Sequence, residues 1–133
     1  MIFTSTNFLK IGGAVLVVVG VLGFVGIIGP TADQSIFGSF WWFDNGENWA
    51  HLLLGVVGLI VAFAAPKDLH KVVTILVGVL GIFFALYNVF STSFLGTSLE
   101  SPADLVLHLV VGVWALYSAF GKKMVMMQSE KAM

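Results

Sequence analysis

"HLLLGVVGLIVAFAAPKDLHKVVTILVGVLGIFFALYNVF", residues 51–90, is two long apolar runs joined by one short charged turn. The first run closes at Ala65 and the second opens at Val72, with Lys67 and Lys71 between them. Backbone amides in lipid find no water to bond, so runs of this length and greasiness read as helices. Working outward, a similar run precedes the pair and another follows it. The four expected spans are Phe8–Ile28, Trp49–Ala65, Val72–Phe90 and Leu105–Phe120. At 1.5 Å per residue, roughly 17–20 residues just cross a hydrocarbon core of roughly 30 Å.

Composition agrees. The 133-residue chain is 59% hydrophobic and 10% charged, with a mean hydropathy of +1.03. A soluble domain carries about 25% charge. Too few polar side chains remain to cover a water-facing surface, and no helix shows a polar face. The net charge of −1 gives no footprint for nucleic acid. The absence of cysteine excludes disulfides, thiolate metal sites and cysteine nucleophiles.

All six cations are lysines: Lys10, Lys67, Lys71, Lys122, Lys123 and Lys131. They fall in the N-terminal segment, the middle turn and the segment after the last span. The other two connections hold Asp33, Asp44, Glu47, Glu100 and Asp104 and no lysine. The positive-inside rule then places both ends of the chain and the middle turn in the cytoplasm, and the two acidic loops outside, in the plasma membrane. The first span is too long for a signal-peptide core and lacks a clean small-x-small cleavage site.

The halves repeat. "VVVGVLGF" at 17–24 matches "ILVGVLGI" at 75–82, and "HLLLGVVGL" at 51–59 matches "HLVVGVWAL" at 108–116, at offsets of 58 and 57 residues. The sequence reads as one all-α transmembrane domain over 1–133. It is a four-helix bundle of two hairpins in parallel orientation, repeat one at about 8–65 and repeat two at about 70–121. A short cytoplasmic tail, 122–133, follows. Gly20, Gly23, Gly26 and Gly29 recur every third residue. Small residues let helix backbones approach in lipid, where no hydrophobic force drives helices together. Gly20, Gly23 and Gly26 also offer a surface to a partner subunit.

The second helix of each unit begins alike. Asp44-x-x-Glu47 and Ser101-x-x-Asp104 read as a cap with an acid three residues on, with Pro102 suited to the first helical position. Four residues after each acid stands a histidine, His51 and His108, on the same helix face. Three readings of these residues stay open. Each histidine ties to its own acid or to the other hairpin and fixes the bundle structurally. Alternatively the two imidazoles converge, as axial ligands of a haem or chlorin, or with Glu47 and Asp104 around a transition metal. In the third reading the pair handles protons or a quinone head group. His70 reads as a solvated loop residue with Asp68 capping the third helix, and Asn88 as an interhelical amide. "IFGSFWWF" at 36–43 reads as an interfacial aromatic loop, with Phe40, Trp41 and Trp42 as a docking ridge in the functional alternative. The methionines at 124, 126, 127 and 133 read as interfacial packing.

These residues resemble a family of small four-span prokaryotic membrane proteins of unknown function. Its pattern is a His-Leu-x-x-Gly motif opening helices two and four, met here by His51, Leu52, Gly55 and by His108, Leu109, Gly112. Asn48 fits the family's amide before the first histidine, and Leu105 departs from it in the second copy. The resemblance implies architecture and no activity.

No nucleophile with its base, phosphate loop or strong metal signature appears. The expected role is a non-catalytic accessory or structural subunit. It would stabilise or assemble a larger membrane complex, such as a respiratory, photosynthetic or monooxygenase assembly. Its partners would be lipids and either other subunits or further copies of itself. The alternatives are a cofactor-binding protein using His51 and His108, and a small-solute transporter.

Overall fold

A computed structural model describes the backbone of residues 1–133 and all side chains except those of residues 122–125. Four helices dominate: α1 Ser5–Phe24, α2 Asn45–Ala64, α3 Lys67–Phe90 and α4 Ala103–Ala132. All four contain a stretch long and apolar enough to cross a membrane. A two-residue antiparallel ribbon, β1 Ser93–Phe94 with β2 Thr97–Ser98, lies in the α3–α4 connection.

The boundaries follow local chemistry. The helix α1 ends at Phe24, four residues before its expected end, because Gly26 takes φ +83°. Ile27 N–H then bonds Leu22 C=O, the 6→1 closure of a left-handed helix stop. The helix α2 starts four residues earlier than expected, at Asn45, because a full capping box forms. Asp44 accepts from Glu47 N–H at 2.9 Å, and Glu47 Oε2 accepts from Asp44 N–H at 3.2 Å. The second start is not a copy of the first. Pro102, rather than Ser101, is the cap of α4 and makes no side-chain cap bond. Likewise α3 opens at Lys67 behind Pro66, and Asp68 lies in its first turn instead of capping it. The helix α4 continues through residues 122–132, where the sequence suggested a tail.

The strongest packing joins α1 to α2 and α3 to α4, giving two hairpins, with lighter contact between them. Glycines set each pair. A Cβ on Gly55 would stand 2.7 Å from Gly13 C=O and 2.8 Å from Val17 N; one on Gly112 would stand 3.1 Å from Gly78 C=O and 2.9 Å from Ile82 N. The pairs correspond: from Gly13 to Gly78, and from Val17 to Ile82, is 65 residues, while Gly55 to Gly112 is 57. The packing repeat of α1 and α3 is therefore slid by seven residues against the sequence repeat of 58. Seven residues is about two helical turns, so the same face stays inward.

At the end that holds the N-terminal segment and the α2–α3 turn, Phe8, Leu9, Ala62 and Ala115 form the core. Trp114 packs edge-on to Phe8 at 4.6 Å and donates to Ile2 C=O. His70 belongs here too. It is buried, contrary to its reading as a solvated loop residue. Its Nε2 lies 3.0 Å from Ala65 C=O, a pure acceptor, so Nε2 carries the proton. Nδ1 is then the acceptor for the Thr6 hydroxyl at 2.7 Å. The histidine thus fastens α1, α3 and the turn between α2 and α3.

Candidate functional site

The two connecting loops meet at the other end of the bundle, and polar groups join them. Trp41 Nε1–H donates to Asp104 Oδ1 at 2.8 Å. Ser98 N–H donates to Asp44 Oδ2 at 2.6 Å, and the Ser98 hydroxyl to Glu47 Oε2 at 3.3 Å. Asp104, fully buried, gives its second oxygen to Glu100 N–H at 2.6 Å. The two acids therefore do not pair with their histidines. The loop ends and the Trp41 indole offer these acids donors instead: Asp44 N–H and Ser98 for Glu47, Trp41 and Glu100 N–H for Asp104.

Each loop end is also braced by a buried amide. Asn48 of α2 donates to Phe43 C=O at 3.3 Å and fills the notch that Gly23 leaves in α1. Asn88 of α3 donates to Ser91 C=O at 3.0 Å and Leu99 C=O at 3.1 Å. Asn88 therefore braces its own connecting loop rather than bonding a neighbouring helix. In the register of the packing, Gly23 corresponds to Asn88 and Asn48 to Leu105. The second hairpin keeps an amide at this level but supplies it from the opposite helix.

Beneath the loops lies a cavity of about 330 Å³, and His51 and His108 both line it. Both histidines therefore border one space. Glu47 joins them and Asp104 does not. The remaining lining is apolar except for Thr97, and it draws on all four helices and the β1–β2 turn. His108 Nδ1 lies 2.8 Å from Asp104 C=O, so it donates there. The His108 ring lies against Phe84, and His51 meets Phe43 edge-on. Among the described residues, His51 Nδ1 and Glu47 Oε1 are buried with no hydrogen-bond partner. At the mouth, exposed Leu95 holds φ +50° beside Gly96 at φ +85° in a two-residue ribbon turn. A left-handed leucine is uncommon, and such strain gathers at ligand clamps.

The metal reading is narrowed by this placement. Asp104, named with Glu47, His51 and His108 as a ligand, has both oxygens engaged elsewhere. Among the described residues no three His, Asp or Glu side chains group around a point that would hold a metal ion. Away from the loops, the centre of the bundle is lined by apolar residues such as Leu9, Leu16, Val77 and Val111.

The residues expected to meet a partner mostly turn inward. Gly20 and Gly23 are buried against Leu52 and Asn48 of α2, and Gly26 makes the helix stop. Trp41 and Trp42 are half-buried, Trp41 through its bond to Asp104. Phe40 alone of the three aromatic residues is exposed, at 62%. Ser98, Thr97, Phe84 and Leu95 were not singled out by sequence. No spacing signals them, because they reach the site only through the fold of the α3–α4 connection.

No family model, curated protein or solved structure matches this chain.

Proposed function

We propose that the chain is a non-catalytic integral membrane protein of the cytoplasmic membrane that holds a lipophilic small molecule between its hairpins. The observation that carries this is the cavity: about 330 Å³, apolar in most of its lining, with Glu47, His51 and His108 at one end. Ligand sites combine an apolar body with a few convergent polar groups in this way. Between 22% and 28% of each candidate span is buried, and the rest presents Val, Leu, Ile and Phe outward. Acyl chains are the solvent that suits such a surface. The lysines and the paired loops lie at opposite ends of the bundle, which supports both chain ends in the cytoplasm and both acidic loops outside.

Native mass spectrometry of protein released from its own membranes tests the pocket. Wild type should carry a small-molecule adduct, and Leu80→Trp, which fills the cavity from its half-exposed wall, should lose it. Identical adduct profiles would overturn the proposal. Orientation is read separately, since the chain lacks cysteine. An impermeant maleimide should label Ser39→Cys on intact cells and Ser129→Cys only after permeabilisation.

A second reading, an accessory subunit of a larger membrane complex, is favoured by one feature. Ile36, Phe37 and Phe40 stand exposed together on the first loop, and aromatic anchors dominate protein interfaces. Native electrophoresis in mild detergent should then show a larger complex that a triple serine variant of this ridge disperses.

A further inference from the structure

We infer that the cavity takes a lipophilic organic cation, an ammonium group on an apolar or aromatic body, with Glu47 as its counter-ion. The inference rests on the proposed lipophilic pocket and adds the charge of its occupant.

The carboxylates at this end are not equivalent. Asp44 places one oxygen on Glu47 N–H and the other on Ser98 N–H. Asp104 places one on Trp41 and the other on Glu100 N–H. Glu47 uses only Oε2, for Asp44 N–H and the Ser98 hydroxyl. Among the described residues its Oε1 has no partner, the residue is only 6% exposed, and Glu47 lines the cavity. A buried polar atom without a partner costs about 1–3 kcal/mol, and more in a charged group, unless a ligand completes it.

Among the described residues no lysine supplies that partner. Lys10 lies over Phe63 and Lys71 over Phe120, both toward the far end of the bundle. The remaining lysines stand at 67, 122, 123 and 131, all at that same end of the topology. Asp44 accepts from Glu47 N–H and Asp104 from Glu100 N–H at the same loop end, an acceptor-rich setting that suits a donor head better than a carboxylate or phosphate. Phe84 and Phe94 line the same space, and their ring faces attract ammonium groups. Leu16, Leu54, Val77 and Leu80 enclose the ligand's apolar part.

Three probes with related skeletons separate charge from greasiness: phenylbutylamine, phenylbutanol and phenylbutyrate, titrated calorimetrically into purified protein in micelles against a micelle blank. The amine should bind saturably, with the alcohol weaker by about tenfold and the acid weaker still, in line with a charge-assisted hydrogen bond. Glu47→Gln keeps an oxygen for Asp44 N–H and should bring the amine down to the affinity of the alcohol. Leu80→Trp leaves the capping box untouched and should weaken the amine and alcohol alike. Equal binding of amine and alcohol, or amine binding unchanged in a folded Glu47→Gln, overturns the cation assignment. Alcohol binding that Leu80→Trp abolishes would in that case leave the pocket standing. Insensitivity of every probe to Leu80→Trp overturns both.

Discussion

The two hairpins share a helix contact and differ in what they build on it. In each, a glycine of the second helix meets a C=O and an N–H four residues apart on the first: Gly55 on Gly13 and Val17, Gly112 on Gly78 and Ile82. Above that shared contact the hairpins diverge. The first carries its amide on α2, has a full capping box and leaves His51 Nδ1 without a partner. The second carries its amide on α3, starts α4 on a proline and fixes His108 by a bond to Asp104 C=O. Close backbone packing is thus the repeated element. The loop ends are specialised, and their differences generate an asymmetric cavity with one incompletely bonded carboxylate.

The strongest way to break the shared part is to add a methyl to it. Gly55→Ala and Gly112→Ala place a Cβ about 3 Å or less from backbone atoms of the facing helix, which cannot move aside as a side chain can. Each should cost about 1–3 kcal/mol, read as a lower melting temperature in detergent. Gly12→Ala is the contrast. Its Cβ meets nothing nearer than 3.8 Å, so helix propensity should make it neutral or stabilising by up to about 1 kcal/mol. Similar losses at Gly55 and Gly112 are expected if the packing repeat, rather than the sequence repeat, relates the halves.

The second test exchanges the amides. Asn48→Leu alone places a larger apolar group against the Gly23 notch and leaves Phe43 C=O without its donor. Gly23→Asn alone drives a second amide into Asn48, because even a Cβ there collides with the Asn48 side chain. Together they convert the first hairpin to the pattern of the second. The double variant should be more stable than the sum of its singles by about 1 kcal/mol or more. Strict additivity of the melting shifts would show that the two amides are not alternative solutions to one constraint.

The four helices, their hairpin pairing and the Asp44-x-x-Glu47 cap were legible in the sequence, since hydropathy, glycine spacing and capping chemistry act over a few residues. The packing register was not. Gly13 and Gly20 lie seven residues apart on one face, so the best sequence match aligns "VVVGVLGF" with a segment two turns away from its packing counterpart. The partners of the acids were hidden for another reason. Helical spacing put Glu47 over His51, but both acids turn back to loops whose fold no local pattern encodes. His70 sits in a polar stretch, and it is buried by the fold, where it bonds Thr6, 64 residues away.

A smaller effect is expected at the seam between the hairpins. Trp41→Phe keeps the ring and removes the donor to Asp104 Oδ1, leaving a fully buried carboxylate oxygen without that bond. The loss should be about 1–2 kcal/mol. If the bond joins the hairpins as the geometry implies, amide hydrogen exchange should quicken in both loops. Faster exchange confined to residues 25–44 would place the effect in the first loop alone.

The smallest effect concerns Glu100, which lies on the α3–α4 connection. Partial burial, then the neighbouring Asp104 carboxylate, raise its pKa above its ordinary 4.5. A carboxyl whose pKa is raised by folding binds its proton more tightly in the folded state. Its favourable contribution is complete below the unfolded value and is lost as pH rises through the folded one. Wild type should therefore lose a little stability relative to Glu100→Gln as pH climbs from about 4 toward neutrality, and the difference should then level off. Solvent on the exposed side of the group keeps the effect small. Melting curves of the two proteins across that range check the sign. A wild type that gains on the variant with rising pH would mean that Glu100 is held by a favourable contact to its charged form, and that the loop end is less crowded with negative charge than its carboxylates suggest.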